Sequence, residues 1–359
     1  MSDISEQILS IEKEIRETPY HKGTEHYIGK LRAKIARLKE KQLEQALKKK
    51  GGGGGYAVKK QGDATIVLVG PPSAGKSTLL NKLTNAKSKI APYEFTTVTV
   101  IPGMLEYKDA KIQILDVPGL IEGAEIGKGK GKEVLSVVRG ADLLVIISDI
   151  QRPKIIKNIK RALYDSGIRI NTLPPEVGIE KKVKGGIIIH SNIKQDIDKE
   201  TIKEIAKTFR IANAEIIIKE KLTMERLIDA FSRNRVYLPT IYVINKSDLK
   251  QDLEKTDLKN ADIVISSKKG INIEKFKELI WEKLEFVRIY LVKEKDKPNR
   301  NNPMVMKKDQ SLLDVARKIG EEFAEEKEKT IIWGQGAKYP GQEISLSTKV
   351  KEGMMVRFV

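Results

Sequence analysis

No cysteine occurs among the 359 residues, which excludes disulfide frameworks, thiolate zinc sites, iron–sulfur clusters and cysteine nucleophiles. Histidine is nearly as scarce. His21, His26 and His190 are too few and too scattered to build a metal centre. No window approaches 18 uninterrupted apolar residues, so the sequence predicts no membrane span. Residues 1–15 mix acids with isoleucines and lack the apolar core of a secretory signal. The expected location is cytoplasmic, with no membrane partner.

What is abundant is positive charge. Against 49 acidic residues stand 67 Lys and Arg, a net charge of +18. A surplus of this size favours a polyanionic partner such as RNA, without saying anything about fold. It is unevenly spread: residues 1–60 carry 14 basic and 8 acidic side chains, residues 151–235 carry 19 and 11, and residues 290–359 carry 14 and 11. The first two segments are therefore the better candidates for contact with a phosphate backbone, and no DNA specificity is expected. Hydrophobic residues at 40% supply enough material for packed cores, and the length predicts two or three domains.

Residues 1–50 read as a helical hairpin. Ile4, Ile8, Ile11 and Ile15 recur at helical spacing, Thr18-Pro19 breaks the run, and a second stripe carries Ile28, Leu31, Ile35 and Leu38. Residues 51–63 open with five glycines and read as a linker. From Ala64 onward short apolar runs alternate with helix-length segments, the pattern of a mostly parallel sheet covered on both faces. Runs at 65–69, 143–147 and 241–244 are its strands, giving an α/β domain over 64–167 and 236–289. Residues 168–235 interrupt it with a strand, helix, strand and helix at 187–189, 198–209, 216–218 and 223–232, which predicts an inserted α+β subdomain. A last unit over 290–359 has strand candidates at 304–306, 331–333 and 354–358 and a helix near 311–323.

The chemistry begins at Gly70-Pro71-Pro72-Ser73-Ala74-Gly75-Lys76-Ser77, followed by Thr78. This stretch fits G-x-x-x-x-G-K-[S/T] between an apolar strand and a helix, the context a phosphate-binding P-loop requires. Backbone N–H groups would wrap the phosphates, Lys76 would reach the β- and γ-phosphates, and the Ser77 hydroxyl would ligate Mg²⁺. Asp116-Val117-Pro118-Gly119 ends a second apolar strand. Its Asp suits a Mg²⁺-associated carboxylate, and Gly119 offers an unshielded N–H to the γ-phosphate. Asn245-Lys246-Ser247-Asp248 ends another strand. An Asp carboxylate accepts two hydrogen bonds from the N1–H and N2–H₂ edge of guanine, and leaving it unpaired against adenine would cost about 2–5 kcal/mol. Asn245 would tie loops together and contact the base, and the Lys246 stem would cover it. In Ser266-Ser267-Lys268 a backbone N–H would read guanine O6. Between the first two motifs, Phe95-Thr96-Thr97 contains a Thr that would give its hydroxyl to Mg²⁺ and its N–H to the γ-phosphate.

These motifs, in this order, resemble the developmentally regulated GTP-binding protein (DRG) family of the Obg-like GTPase superfamily. The resemblance covers nearly the whole chain, from the lysine-rich helices and glycine run to the closing Lys351-Glu352-Gly353-Met354-Met355-Val356-Arg357-Phe358-Val359, which is similar to the end of a TGS domain of β-grasp type. It assigns Mg²⁺ ligation to Thr97 rather than Thr96. It also likens residues 168–235 to a ribosomal-protein-S5 domain-2-like insert, and residues 123–131 to a glycine-rich second switch. By the resemblance Lys76, Thr97 and Gly119 serve catalysis, and Ser77, Thr97 and Asp116 hold the metal. It implies slow GTP hydrolysis as a switch on ribosomes or RNA in translation, and allows for a dedicated partner protein. The alternative is a GTP-stabilised RNA-binding or assembly scaffold in which turnover is incidental. Two departures stand out. Leu120 occupies the position where many GTPases place a water-orienting Gln, and Ser73 stands where potassium-stimulated relatives carry Asn, which leaves potassium stimulation open.

Overall fold

Runs of Ile, Val and Leu without polar interruption suit strands buried on both faces, and two of them form the centre of the main sheet. A computed structural model describes residues 3–48, 61–84, 91–92, 99–117, 137–249 and 261–359. The chain divides into two compact units, Met1–Gly55 with Gly167–Tyr237, and Tyr56–Ser166 with Leu238–Val359.

In the larger unit, numbered along the chain, β1 (Ala64–Val69) is flanked by β4 (Ala110–Asp116) on one side and β5 (Leu143–Asp149) on the other. Both pairings are parallel, with Ile66 opposite Ile114 and Leu143. Beyond β5 lie β11 (Thr240–Asn245) and β12 (Ile263–Val264), also parallel. Beyond β4 lie β3 (Thr99–Tyr107) and β2 (Ala91–Pro92), each antiparallel to its neighbour. From β1 the chain thus runs to the edge at β2, returns inward through β3 to β4, and then crosses to β5 on the other side of β1. Such a reversal opens a crevice at the carboxyl ends of the central strands.

Every residue of β1 and of β5 is buried. Leu79, Leu80 and Leu83 of α3 (Lys76–Leu83) join Ile66, Leu68, Ile112 and Ile114 in one core, and Phe276, Ile280 and Trp281 of α7 (Ile273–Lys283) belong to it too. Each such aliphatic side chain contributes about 1.5–3 kcal/mol on burial, so the strands that carry the site's loops are held firmly.

The same unit contains a five-stranded mixed sheet in the order β14 (Pro303–Lys307), β13 (Phe286–Leu291), β17 (Met355–Phe358), β15 (Lys329–Trp333), β16 (Gln342–Ser345). Strand β13 follows α7 after two residues and crosses position 290. The helix predicted near 311–323 is two helices. The first, α8 (Leu312–Ile319), opens on a capping box in which Ser311 and Asp314 exchange hydrogen bonds. Gly320, in an extended conformation, ends it and precedes α9 (Glu321–Glu326).

In the smaller unit α1 (Ile4–Glu17) packs on α2 (Lys22–Lys48), burying Ile8, Ile11, Ile28 and Leu31. A second face of α2 packs on α5 (Lys199–Thr208) and α6 (Met224–Phe231), where Ala33 and Ala36 join Ile202, Ile205, Leu227 and Phe231 in one core. Gly29 lies on this face, and a Cβ there would come within 2.6 Å of the Met224 sulfur. Three strands complete the unit: β9 (Ala214–Ile218) pairs antiparallel with β7 (Val177–Lys181) and parallel with β8 (Ile187–Ser191). The short strands β6 (Ile168–Ile170) and β10 (Val236–Leu238) pair where the chain enters and leaves. Part of the basic surface of α2 is engaged within the unit: Lys30 pairs with Glu204 at 3.2 Å and Arg32 with Glu225 at 2.5 Å.

Candidate nucleotide-binding site

The carboxyl ends of β1, β4, β5 and β11 converge, and four of the sequence motifs lie on the loops that leave β1, β4, β11 and β12. After β1 the backbone passes close to β5: a Cβ on Gly70 would lie 2.2 Å from the Ile147 carbonyl oxygen, so this position admits only glycine. Ser73 at φ 60° and Gly75 at φ 89° adopt left-handed conformations that curl residues 70–76 into a cradle before α3 begins. Lys76 is buried and folds back across the loop, donating from Nζ to the carbonyls of Gly70 (3.1 Å) and Pro71 (3.0 Å). Ser77 and Thr78 are exposed at the helix start.

The register of β4 on β1 sets Asp116 opposite Leu68, next to the loop. Ser77 donates from its hydroxyl to Asp116 Oδ2 at 2.6 Å. Asp116 is 3% exposed, yet its Oδ1 has no hydrogen-bond partner among the described residues. A buried carboxylate oxygen without a partner is costly unless something positive or protic meets it. A hydroxyl and a half-satisfied carboxylate beside a phosphate cradle form the oxygen donor set that suits Mg²⁺, which is held by one or two protein oxygens with phosphates and water completing its shell. Among the described residues no group of three or more His, Asp or Glu could hold a metal by itself. A magnesium bound together with phosphates fits these residues.

At the other end of the crevice Asn245 is a tie between loops. Its Nδ2 donates to the Ala74 carbonyl at 2.9 Å, and its Oδ1 accepts from the N–H of Lys246 (2.8 Å) and from the N–H and hydroxyl of Ser267 (both 3.0 Å). Lys246 itself is left-handed at φ 64°. Asp248 Oδ1 accepts from the Ser266 hydroxyl. That bond is the main reason the Asp248 carboxyl is held below its ordinary range; partial desolvation opposes it, and the nearby charges of Lys268 and Lys269 add to it. Asp248 is thus an ionised acceptor at neutral pH. Ser266 and Ser267 are buried, and Lys268 is exposed. Along 266–269, Ser266 donates its N–H to Ile271, Ser267 to Asn245 and Lys269 to the Ser266 hydroxyl. The N–H of Lys268 has no partner among the described residues.

Two residues that the motifs did not single out also converge here. Asp149 ends β5 and is 1% exposed. Arg152 donates to Asp149 Oδ2 at 2.6 Å and to the Pro72 carbonyl at 2.9 Å. Lys246 Nζ lies 3.7 Å from the same Asp149 oxygen. Burial pushes the Asp149 carboxyl up, but the hydrogen bond and charge of Arg152 together with Lys246 outweigh it and hold the carboxyl below its ordinary range. The available signal was an Asp at the end of a continuous apolar strand.

Phe95, Thr96, Thr97, Pro118, Gly119, Leu120 and the glycine-rich stretch 123–131 lie outside the described residues; Val117 continues the ladder, its N–H donating to the Leu68 carbonyl at 3.4 Å. Among the described residues no helix is long and apolar enough to cross a membrane.

The chain matches a family model described as 50S ribosome-binding GTPase over residues 65–181, and one described as the C-terminal region of that domain over residues 184–286. A GTP-binding protein of Methanocaldococcus jannaschii is 46% identical over 99% of this chain and 93% of its own length. Developmentally-regulated GTP-binding protein 2 of Homo sapiens is 35% identical over 99% of both chains. Developmentally-regulated G-protein 3 of Arabidopsis thaliana is 37% identical over 100% of this chain and 99% of its own.

Proposed function

The chain belongs to the developmentally regulated GTP-binding protein family, with a P-loop GTPase domain, and on that premise we propose that it hydrolyses GTP to GDP and phosphate with Mg²⁺, and that nucleotide state governs its contact with ribosomes or RNA. The observation that supports the hydrolytic reading most directly is the Ser77–Asp116 pair with its orphaned Oδ1, beside a loop whose lysine rests on loop carbonyls.

In this reading Lys76 leaves the carbonyls of Gly70 and Pro71 to meet the β- and γ-phosphates, and residues 73–78 supply N–H groups around them. Ser77 and Thr97 hold the metal, with Asp116 orienting that shell. When bound, the metal would neutralise charge on the phosphates. Gly119 gives its N–H to the γ-phosphate, with Phe95, Thr96, Val117 and Pro118 shaping the loops on either side. Asn245, Lys246 and Asp248 select guanine, with Ser266 fixing Asp248, Ser267 fixing Asn245 and the Lys268 N–H directed to O6. An apolar Leu120 cannot hydrogen-bond the attacking water, so unassisted turnover is slow, on the order of 10⁻⁴ per second as for other GTPases without an activating partner.

The ribosome or RNA as partner is supported by the net charge of +18 and by the description of the matching family model. The test is phosphate release by the purified chain with and without ribosomal subunits, paired with co-sedimentation in GTP and in GDP. Acceleration and GTP-dependent co-sedimentation are expected. Binding without any acceleration would favour a GTP-stabilised scaffold, and unassisted hydrolysis near 1 per second would overturn the partner-gated reading.

A further inference from the structure

We propose that Asp149 and Arg152 are positioning residues that lock the phosphate loop to the base-reading loop, so that both halves of the site hold the nucleotide as one rigid frame. This rests on the nucleotide-site reading above. It assigns a role to a segment, the exit of β5, that no sequence motif marks.

The geometry is a strut with three ends. At its root, Ser148 is wholly buried and donates from its hydroxyl to the Arg152 carbonyl at 2.6 Å, while the Arg152 N–H donates to the Asp149 carbonyl at 3.1 Å. The turn after β5 is therefore closed on itself. Its second end is the base loop: the Ile150 N–H donates to the Asn245 carbonyl at 3.1 Å, and Lys246 Nζ approaches Asp149 Oδ2. Its third end is the phosphate loop. The same guanidinium nitrogen that meets Asp149 Oδ2 donates to the Pro72 carbonyl, across 80 positions of sequence.

The bond to Pro72 matters because of what a peptide unit does. In a trans peptide the C=O and the following N–H point in opposite directions. Holding the Pro72 carbonyl on Arg152 keeps that oxygen, a repulsive partner for phosphate, turned toward the guanidinium, and directs the Ser73 N–H the other way. Proline at 72 has no N–H of its own to offer, so the loop's donors begin at Ser73. Asp149, in turn, holds the guanidinium through Oδ2 and through contacts to Nε at 3.3 and 3.4 Å, which removes the rotamer freedom an exposed arginine would otherwise have. The Asn245–Ala74 hydrogen bond already links the two loops directly. The Asp149–Arg152 strut makes a second, charge-assisted link at a different point, which fixes the angle between them as well as the distance.

The prediction separates phosphate positioning from general folding. Full-length wild type and Arg152→Ala are compared for GDP dissociation rate, GDP affinity, and affinity for guanosine, which presents the base without phosphates. Because Arg152 is partly exposed, loss of its charge-assisted bond is expected to speed GDP dissociation by about tenfold, with guanosine affinity within about twofold of wild type. GDP dissociation unchanged in Arg152→Ala overturns the proposal. So does an equal weakening of GDP and guanosine, since that is what a merely structural role would produce. If the alanine variant does not fold, Arg152→Gln, which keeps length and an N–H donor without the charge, is read by the same two criteria. Failure of the wild type to bind GDP would instead overturn the reading of the site itself.

Discussion

Asp248→Asn perturbs base selection with the least change in shape. In the folded chain Asp248 Oδ1 accepts from the Ser266 hydroxyl, which leaves Oδ2 and the remaining lone pair of Oδ1 for a ligand. Guanine would place N1–H and N2–H₂ against them, two bonds to a charged acceptor worth about 1.5–3 kcal/mol each. Asp248 is only half-buried, so solvent competes for both bonds and the lower end of that range applies. Asparagine keeps the Oδ1 that Ser266 holds but turns an amide donor toward the N2–H₂ donor. GDP affinity should fall by more than about a hundredfold. Xanthine has a carbonyl at C2, so the same amide then donates to it while Oδ1 accepts from N1–H, and xanthosine diphosphate should gain what GDP loses. Displacement of a fluorescent guanine nucleotide by GDP, xanthosine diphosphate and ADP measures all three. Two results would refute the reasoning: GDP affinity within about threefold of wild type in the variant, or equal displacement by ADP and GDP in the wild type.

Two further outcomes follow from hydrogen-bonded carboxylates elsewhere. Asp229 is 7% exposed and receives Arg169 at 2.7 Å on Oδ1 and 2.5 Å on Oδ2, and Arg235 at 2.5 Å on Oδ1; Asp229→Ala leaves two buried guanidiniums without that carboxylate and should cost about 3–5 kcal/mol in urea unfolding, and a loss under 1 kcal/mol would show the cluster to be solvated. Tyr107 donates to Glu278 at 2.6 Å, and this bond, with desolvation and the Glu278 charge, pushes its phenol up to about 12. A raised folded value means the stabilisation is whole below the unfolded value near 10 and is lost as pH rises toward 12, so the stability difference between wild type and Tyr107→Phe should shrink across pH 10–12; a constant difference over that range would contradict the assignment.

The sequence by itself determined the parts whose chemistry is written in contiguous residues. The run 70–77 carries its own strand, glycines, lysine and hydroxyl, so its conformation and its ligand class follow from local rules. The same holds for 245–248 on its strand, and for the central strands, whose unbroken apolar composition demands burial on both faces. Only the tertiary structure decided which of the remaining residues meet. Nothing local marks Arg152 as a partner of Pro72, or Ser266 as the group that orients Asp248, because these bonds join positions 80 and 18 residues apart. The second face of α2 was equally silent. Its isoleucine and leucine stripe shows in the periodicity, whereas Gly29, Ala33 and Ala36 weigh little on a hydrophobic scale. Their contribution is the absence of side-chain bulk, which lets α2 approach α5 and α6 closely, and an absence acquires meaning only when the opposing surface is in place.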